Sequence, residues 1–138
     1  MTSKKIVQQL SGKVKGPYDC YQVALEENGK LVINETKMVL GLAHLDKTLE
    51  GGYPLVVGIN HTINYKHKTE GKINEGTTDH FVVIVARYCE NENIYYQFWD
   101  VGTKNGNNDK FRFKLMPDKS LVCEKDHKER LITVTQIR

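Results

Sequence analysis

The chain has 138 residues, 39% of them hydrophobic and 27% charged, and 20 Lys and Arg against 17 Asp and Glu leave a formal net charge of +3. That balance suits a globular domain with one modest core and excludes a disordered or fibrous chain. Scattered basic residues in so small a surplus do not argue for nucleic-acid binding, and no apolar run is long enough for a membrane-spanning helix.

The three cysteines are Cys20, Cys89 and Cys123. Their number is odd, they form no C-x-x-C, and no histidine lies at zinc-ligand spacing from them, so neither a disulfide framework nor a metal site is expected. There is no Gly-rich phosphate loop and no nucleophile-elbow serine, hence no expected cofactor.

Residues 1–17 read as an N-terminal arm or a short helix (Lys4–Leu10) that leads into a turn at Lys15-Gly16-Pro17-Tyr18. The first residues are polar and show no secretory signal, which predicts synthesis in the cytoplasm without an export signal of its own. Asp19 is a good N-cap, Gln22 lies three residues on as in a capping box, and Gly29 fits a C-terminal stop. This spacing predicts a helix over Cys20–Asn28 with Cys20 at its first position. A helix N-terminus favours a thiolate, and its free amides can donate to an oxyanion. The bland alternative is a small buried residue that starts a helix.

Asn34 can cap a second helix carrying Met38, Leu42, Leu45 and Leu49 as a core stripe, with Gly41 as a possible break and Gly51-Gly52 as its end. His44 lies off that stripe and reads as a solvated surface residue. Tyr53–Asn60 reads as a buried strand with Pro54 tolerated at its start. Residues 61–79 form a long charged loop with no apolar periodicity, which predicts a flap facing a substrate. His61 and His67 lie in it without the further ligands a metal needs.

Phe81–Ala86 is the longest apolar run, rich in β-branched residues, and predicts a strand buried on both faces. Ile94–Asp100 reads as its antiparallel partner through a turn at Cys89–Asn93. With pairing centred on Glu90 and no bulge, His80 stands directly opposite Asp100, their Cβ atoms roughly 5 Å apart. A histidine beside a carboxylate at the open end of a hairpin is oriented for base catalysis. Beyond a turn-rich stretch at 101–108, residues 109–116 alternate as a half-exposed strand through Phe111, Phe113 and Leu115. Leu121-Val122-Cys123 reads as an edge strand, and 130–138 as a last alternating strand. Cys89 in a turn and Cys123 on an edge have no activating environment and read as inert.

Cys20, His80 and Asp100 thus occur in the order nucleophile, base, orienting carboxylate. Together with Tyr18-Asp19-Cys20, Gly52-Tyr53-Pro54-Leu55-Val56-Val57-Gly58, Thr78-Asp79-His80-Phe81-Val82-Val83-Ile84 and Tyr96-Gln97-Phe98-Trp99-Asp100-Val101-Gly102, this order resembles the papain-like cysteine hydrolases. More narrowly it resembles their small bacterial branch: double-glycine leader peptidases, NlpC-type peptidoglycan endopeptidases and the amidase effectors of type VI secretion. The resemblance implies an α+β fold, papain-like, with N-terminal helices and the nucleophile at a helix start, packed on an antiparallel β-sheet in one domain spanning 1–138. It also implies attack by Cys20 on an amide carbonyl of a peptide or peptidoglycan, proton transfer by His80 oriented by Asp100, and a thioester released by water.

For the oxyanion hole and substrate contacts the candidates are Tyr18, Gln22, Gln9, Asp79 and Trp99. The upstream Gln8 and Gln9 lie further from Cys20 than the family's usual glutamine, and Asp19-Cys20-Tyr21-Gln22 departs from the NlpC-type D-C-S-G. By analogy, an effector of this kind is delivered by dedicated machinery and has an immunity or inhibitor protein as partner. Two other readings stand beside it: a catalytically inactive binding or adaptor module, and a glutamine deamidase or transglutaminase that uses the same trio.

Overall fold

The computed structural model describes residues 21–60, 77–100, 111–123 and 131–138. In chain order these form β1 (Tyr21–Gln22), β2 (Ala24–Glu27), β3 (Lys30–Ile33), α1 (Glu35–Glu50), β4 (Leu55–Asn60), β5 (His80–Glu90), β6 (Asn93–Trp99), β7 (Arg112–Leu115), β8 (Leu121–Cys123) and β9 (Ile132–Ile137). The large sheet runs β1-β9-β4-β5-β6-β7-β8, and β8 pairs back onto β9. Six antiparallel strands, β9-β4-β5-β6-β7-β8, therefore close into a barrel, with β1 added outside β9 and β2–β3 as a separate hairpin.

This overturns the papain-like α+β expectation of helices on a sheet: among the described residues there is one helix against nine strands. The predicted helix over Cys20–Asn28 is the clearest error. Residues 21–27 are extended, and Asn28-Gly29 is not a helix stop but a two-residue hairpin turn. Both of its residues have positive φ (51° and 79°), and Glu27 faces Lys30 across it. Asn-Gly between short extended runs is a strong hairpin signal, because both residues tolerate the left-handed turn that matches strand twist. That signal outweighed the cap pattern at Asp19 and Gln22.

The second predicted helix is present as α1. Asn34 caps it, its side-chain oxygen accepting from the Lys37 N–H at 3.0 Å. Met38 and Leu45 are buried, with Leu42 and Leu49 packed against the same core. Gly41 does not break the helix; it lets α1 approach β9. A Cβ built there would lie 2.7 Å from the Ile137 Cδ1 and 3.4 Å from the Val23 Cγ1. His44 is not simply solvated either, since its Nε2 meets the Arg138 carbonyl oxygen at 3.2 Å beside the Tyr21 ring.

β4 is buried along its whole length, whereas of the run Phe81–Ala86 only Val82, Val83 and Ile84 are buried on both faces; Phe81 is exposed and Val85 and Ala86 are half-buried. Phe98 of β6 stacks on Phe113 with ring centroids 4.2 Å apart and on Phe111 at 5.4 Å, filling the barrel beside Met38 and Leu45. At one end Tyr96 donates to Asp46 at 2.6 Å, bolting α1 to the barrel. β8 is no edge: β7 and β9 flank it, and Cys123 is buried. Cys89 lies within β5 opposite Ile94 and is exposed. Among the described residues no helix is long and apolar enough to cross a membrane.

Candidate functional site

The β5–β6 hairpin turns at Asn91-Glu92, with Glu90 facing Asn93, so it is not centred on Glu90 as the alternation suggested. A register shift between Ile84 and Ala86 moves the lower half so that Val83 faces Trp99. One residue further, the same register sets Val82 opposite Asp100, with His80 two positions along on the same face. The two side chains meet on this diagonal, a reach that long side chains span. The His80 Nε2 lies 2.8 Å from the Asp100 Oδ1.

The carboxylate is the more enclosed partner: the Asp100 side chain is 9% exposed and that of His80 30%. A buried carboxylate needs a donor, and an imidazole N–H supplies one. With Nε2–H donating to Asp100, a neutral ring carries its lone pair on Nδ1. The pair therefore has the geometry of a general base fixed in tautomer and orientation.

Its place in the barrel adds to this. His80 begins β5, Asp100 follows β6, and Asn60 ends β4 opposite Thr133 near the start of β9. The chain leaves the described barrel at Asn60, Asp100 and Cys123 and returns at Thr77, Phe111 and Leu131, all at this one mouth. The opposite mouth is closed by short turns at Asn91-Glu92 and Pro117–Lys119. Long connections gathered at one mouth of a rigid barrel are where binding and catalytic groups concentrate.

The other candidates fare unevenly. Cys20, Tyr18 and Gln9 lie outside the described residues, as do His61, His67 and nearly all of the 61–79 loop. Gln22 is not near the pair. It sits on β1, separated from β5 by β9 and β4, and its amide donates to the carbonyls of Ala24 (2.9 Å) and Thr135 (3.1 Å), pinning β1 to β9. Trp99 faces Val83, and successive strand residues point to opposite faces, so its ring is directed away from the His80–Asp100 side. Asp79 is next to His80 in the chain, and its N–H donates to the Ile59 carbonyl at 2.9 Å.

Sequence reasoning missed the groups that hold the His80 segment. The Asn60 Nδ2 donates to the Thr77 carbonyl at 2.9 Å, and the Thr78 and Thr135 hydroxyls meet at 2.7 Å. Asn60 at the end of an otherwise apolar strand was a visible signal, because a buried amide must find partners. Comparison with known proteins gave no match to this chain among family models, curated proteins or solved structures.

Proposed function

We propose that the chain is a hydrolase of amide bonds, acting on a peptide or on peptidoglycan, with His80 as base, Asp100 as its orienting carboxylate and Cys20 as nucleophile. The observation that carries this reading is the 2.8 Å contact between the His80 Nε2 and the buried Asp100 at the mouth that also holds Asn60, Thr77, Phe111, Cys123 and Leu131. In the reaction His80 takes the proton from the Cys20 thiol, and the sulfur attacks the carbonyl carbon. The C–N bond then breaks as His80 returns the proton to the leaving nitrogen. Water, deprotonated by the same imidazole, cleaves the thioester and regenerates the thiol.

One observation favours a second reading, an inactive binding module. The chain is extended from Tyr21 onward, so Cys20 is not followed by the helix whose dipole was expected to stabilise a thiolate. The imidazole then has to supply all of the activation.

Iodoacetamide labelling near neutral pH separates the two. As a nucleophile, Cys20 reacts much faster than the exposed Cys89, and His80→Asn slows it to the Cys89 rate. Labelling of Cys20 no faster than Cys89, unaffected by His80→Asn, would leave only the binding module. Purified muropeptides and a peptide library, each tested with the unmodified chain and with Cys20→Ser, identify the bond.

A further inference from the structure

β9 carries one residue too many for its partner. Opposite β4 it pairs Gln136 with Gly58 and Val134 with Ile59, so Thr135 is a β-bulge. A bulge re-aims the extra side chain and bends its strand. Here the Thr135 hydroxyl meets the Thr78 hydroxyl at 2.7 Å, while the Thr135 carbonyl accepts from the Val23 N–H at 2.9 Å. Thr135 is fully buried, so its hydroxyl needs a partner, and the half-buried Thr78 supplies it.

Gly58 stands opposite this bulge for a steric reason. A Cβ there would lie 2.5 Å from the Thr78 γ-methyl, 3.1 Å from the Gln136 Cβ and 3.2 Å from the Phe81 Cε1. The missing side chain is the space that Thr78 occupies. Thr78 is two residues before His80, and the Asp79 N–H between them donates to the Ile59 carbonyl of β4.

We propose that the Thr135 bulge and the vacancy at Gly58 together are a positioning device for His80. The bulge holds the Thr78 hydroxyl and the glycine admits its methyl. The chain therefore enters β5 at the one height that brings the His80 ring onto Asp100. Thr135, Thr78 and Gly58 are positioning residues and touch no substrate. Their catalytic meaning rests on the hydrolase reading, but the geometry they set is read on the imidazole itself.

The test follows the His80 Nε2–H in histidine-labelled protein by NMR, assigned by its loss in His80→Asn. Thr135→Val keeps the shape and removes the hydroxyl; it should speed solvent exchange of that proton by about tenfold, whereas Thr135→Ser should leave it unchanged. Gly58→Ala should do the same as Thr135→Val. Adding Thr78→Ser, which removes the methyl and keeps the hydroxyl, should restore most of the protection. An unchanged proton in folded Thr135→Val overturns the proposal, as does a Gly58→Ala effect that Thr78→Ser does not relieve. The Thr135 pair decides alone should Gly58→Ala not fold. A protected proton in a chain without turnover would end the hydrolase reading and leave the positioning intact.

Discussion

His80 and Asp100 touch across β5 and β6 without being cross-strand partners. The carboxylate lies on the register of Val82, and the imidazole reaches it along the diagonal to a 2.8 Å contact. The register shift between Ile84 and Ala86 and the turn at Asn91-Glu92 together set this diagonal, and either change alone would put the two residues in another relation.

Asp100→Asn keeps the volume of the buried side chain and replaces a charged acceptor with a neutral amide. Loss of a hydrogen bond to a charged group costs about 1–2 kcal/mol, read as a lower urea midpoint. On the hydrolase reading proposed above, amide turnover falls on the order of ten-thousandfold, because the imidazole loses the carboxylate that fixes its tautomer and stabilises its charged form. A stability loss with unaltered turnover would assign Asp100 to the fold alone.

Gly41 marks where α1 presses on Ile137 and Val23. An alanine there clashes only with the terminal methyl of Ile137, which can turn aside, and gains helix propensity, so Gly41→Ala is close to neutral in chemical denaturation. Gly41→Leu has no such outlet and lowers stability by about 2–3 kcal/mol through overpacking.

Tyr96 is held protonated. Burial first, then the hydrogen bond and negative charge of Asp46, push its hydroxyl well above the ordinary value of 10.0. The unfolded chain ionises near the ordinary value and the folded chain does not. The stabilisation is therefore complete below pH 10 and is lost as the pH rises above it. Tyr96→Phe costs about 1–2 kcal/mol at neutral pH through the lost bond to Asp46. Its stability also falls less steeply than that of the parent above pH 10, which parallel urea titrations at pH 8 and pH 11 would show.

Glu92 occupies the second position of the β5–β6 turn at a φ of 66°, a conformation that non-glycine residues adopt at a cost. Glu92→Gly relieves that cost and gives back part of it in chain entropy, for a net gain of roughly 0.5 kcal/mol. A small rise in Tm is the expected result. A fall would mean that the glutamate side chain contributes more than its backbone costs.

Much of the strand content and the His80–Asp100 contact were legible in the chain, for different reasons. Buried strands announce themselves by apolar runs, as Leu55–Asn60 and Val82–Ile84 do, and α1 by its Asn34 cap and Met38–Leu45 stripe. The histidine and carboxylate were found on an incorrect register, and the contact survived because two changes, a shifted turn and an altered pairing, left them on one face. Barrel closure was not legible, since the pairing of Leu121–Cys123 with β9 depends on strand twist and not on any local residue pattern. Residues 21–28 were misread because cap residues and hairpin residues overlap in type, and the Asn28-Gly29 hairpin signal was set below the cap pattern at Asp19 and Gln22.

β9 has three neighbours: β1 through Gln136 and Ile137, β4 through Thr133 to Ile137, and β8 through Ile132 and Thr133. Every one of those pairings waits for Ile132–Ile137 to leave the ribosome. On the ribosome, the meander β4–β5–β6–β7–β8 can assemble by neighbour contacts alone, while β1 and the outer edges of β4 and β8 must stay unmatched until β9 emerges. Closure of the barrel is therefore a late event, and an elongating product halted before Ile132 leaves the edges of β4 and β8 open to chaperones and proteases.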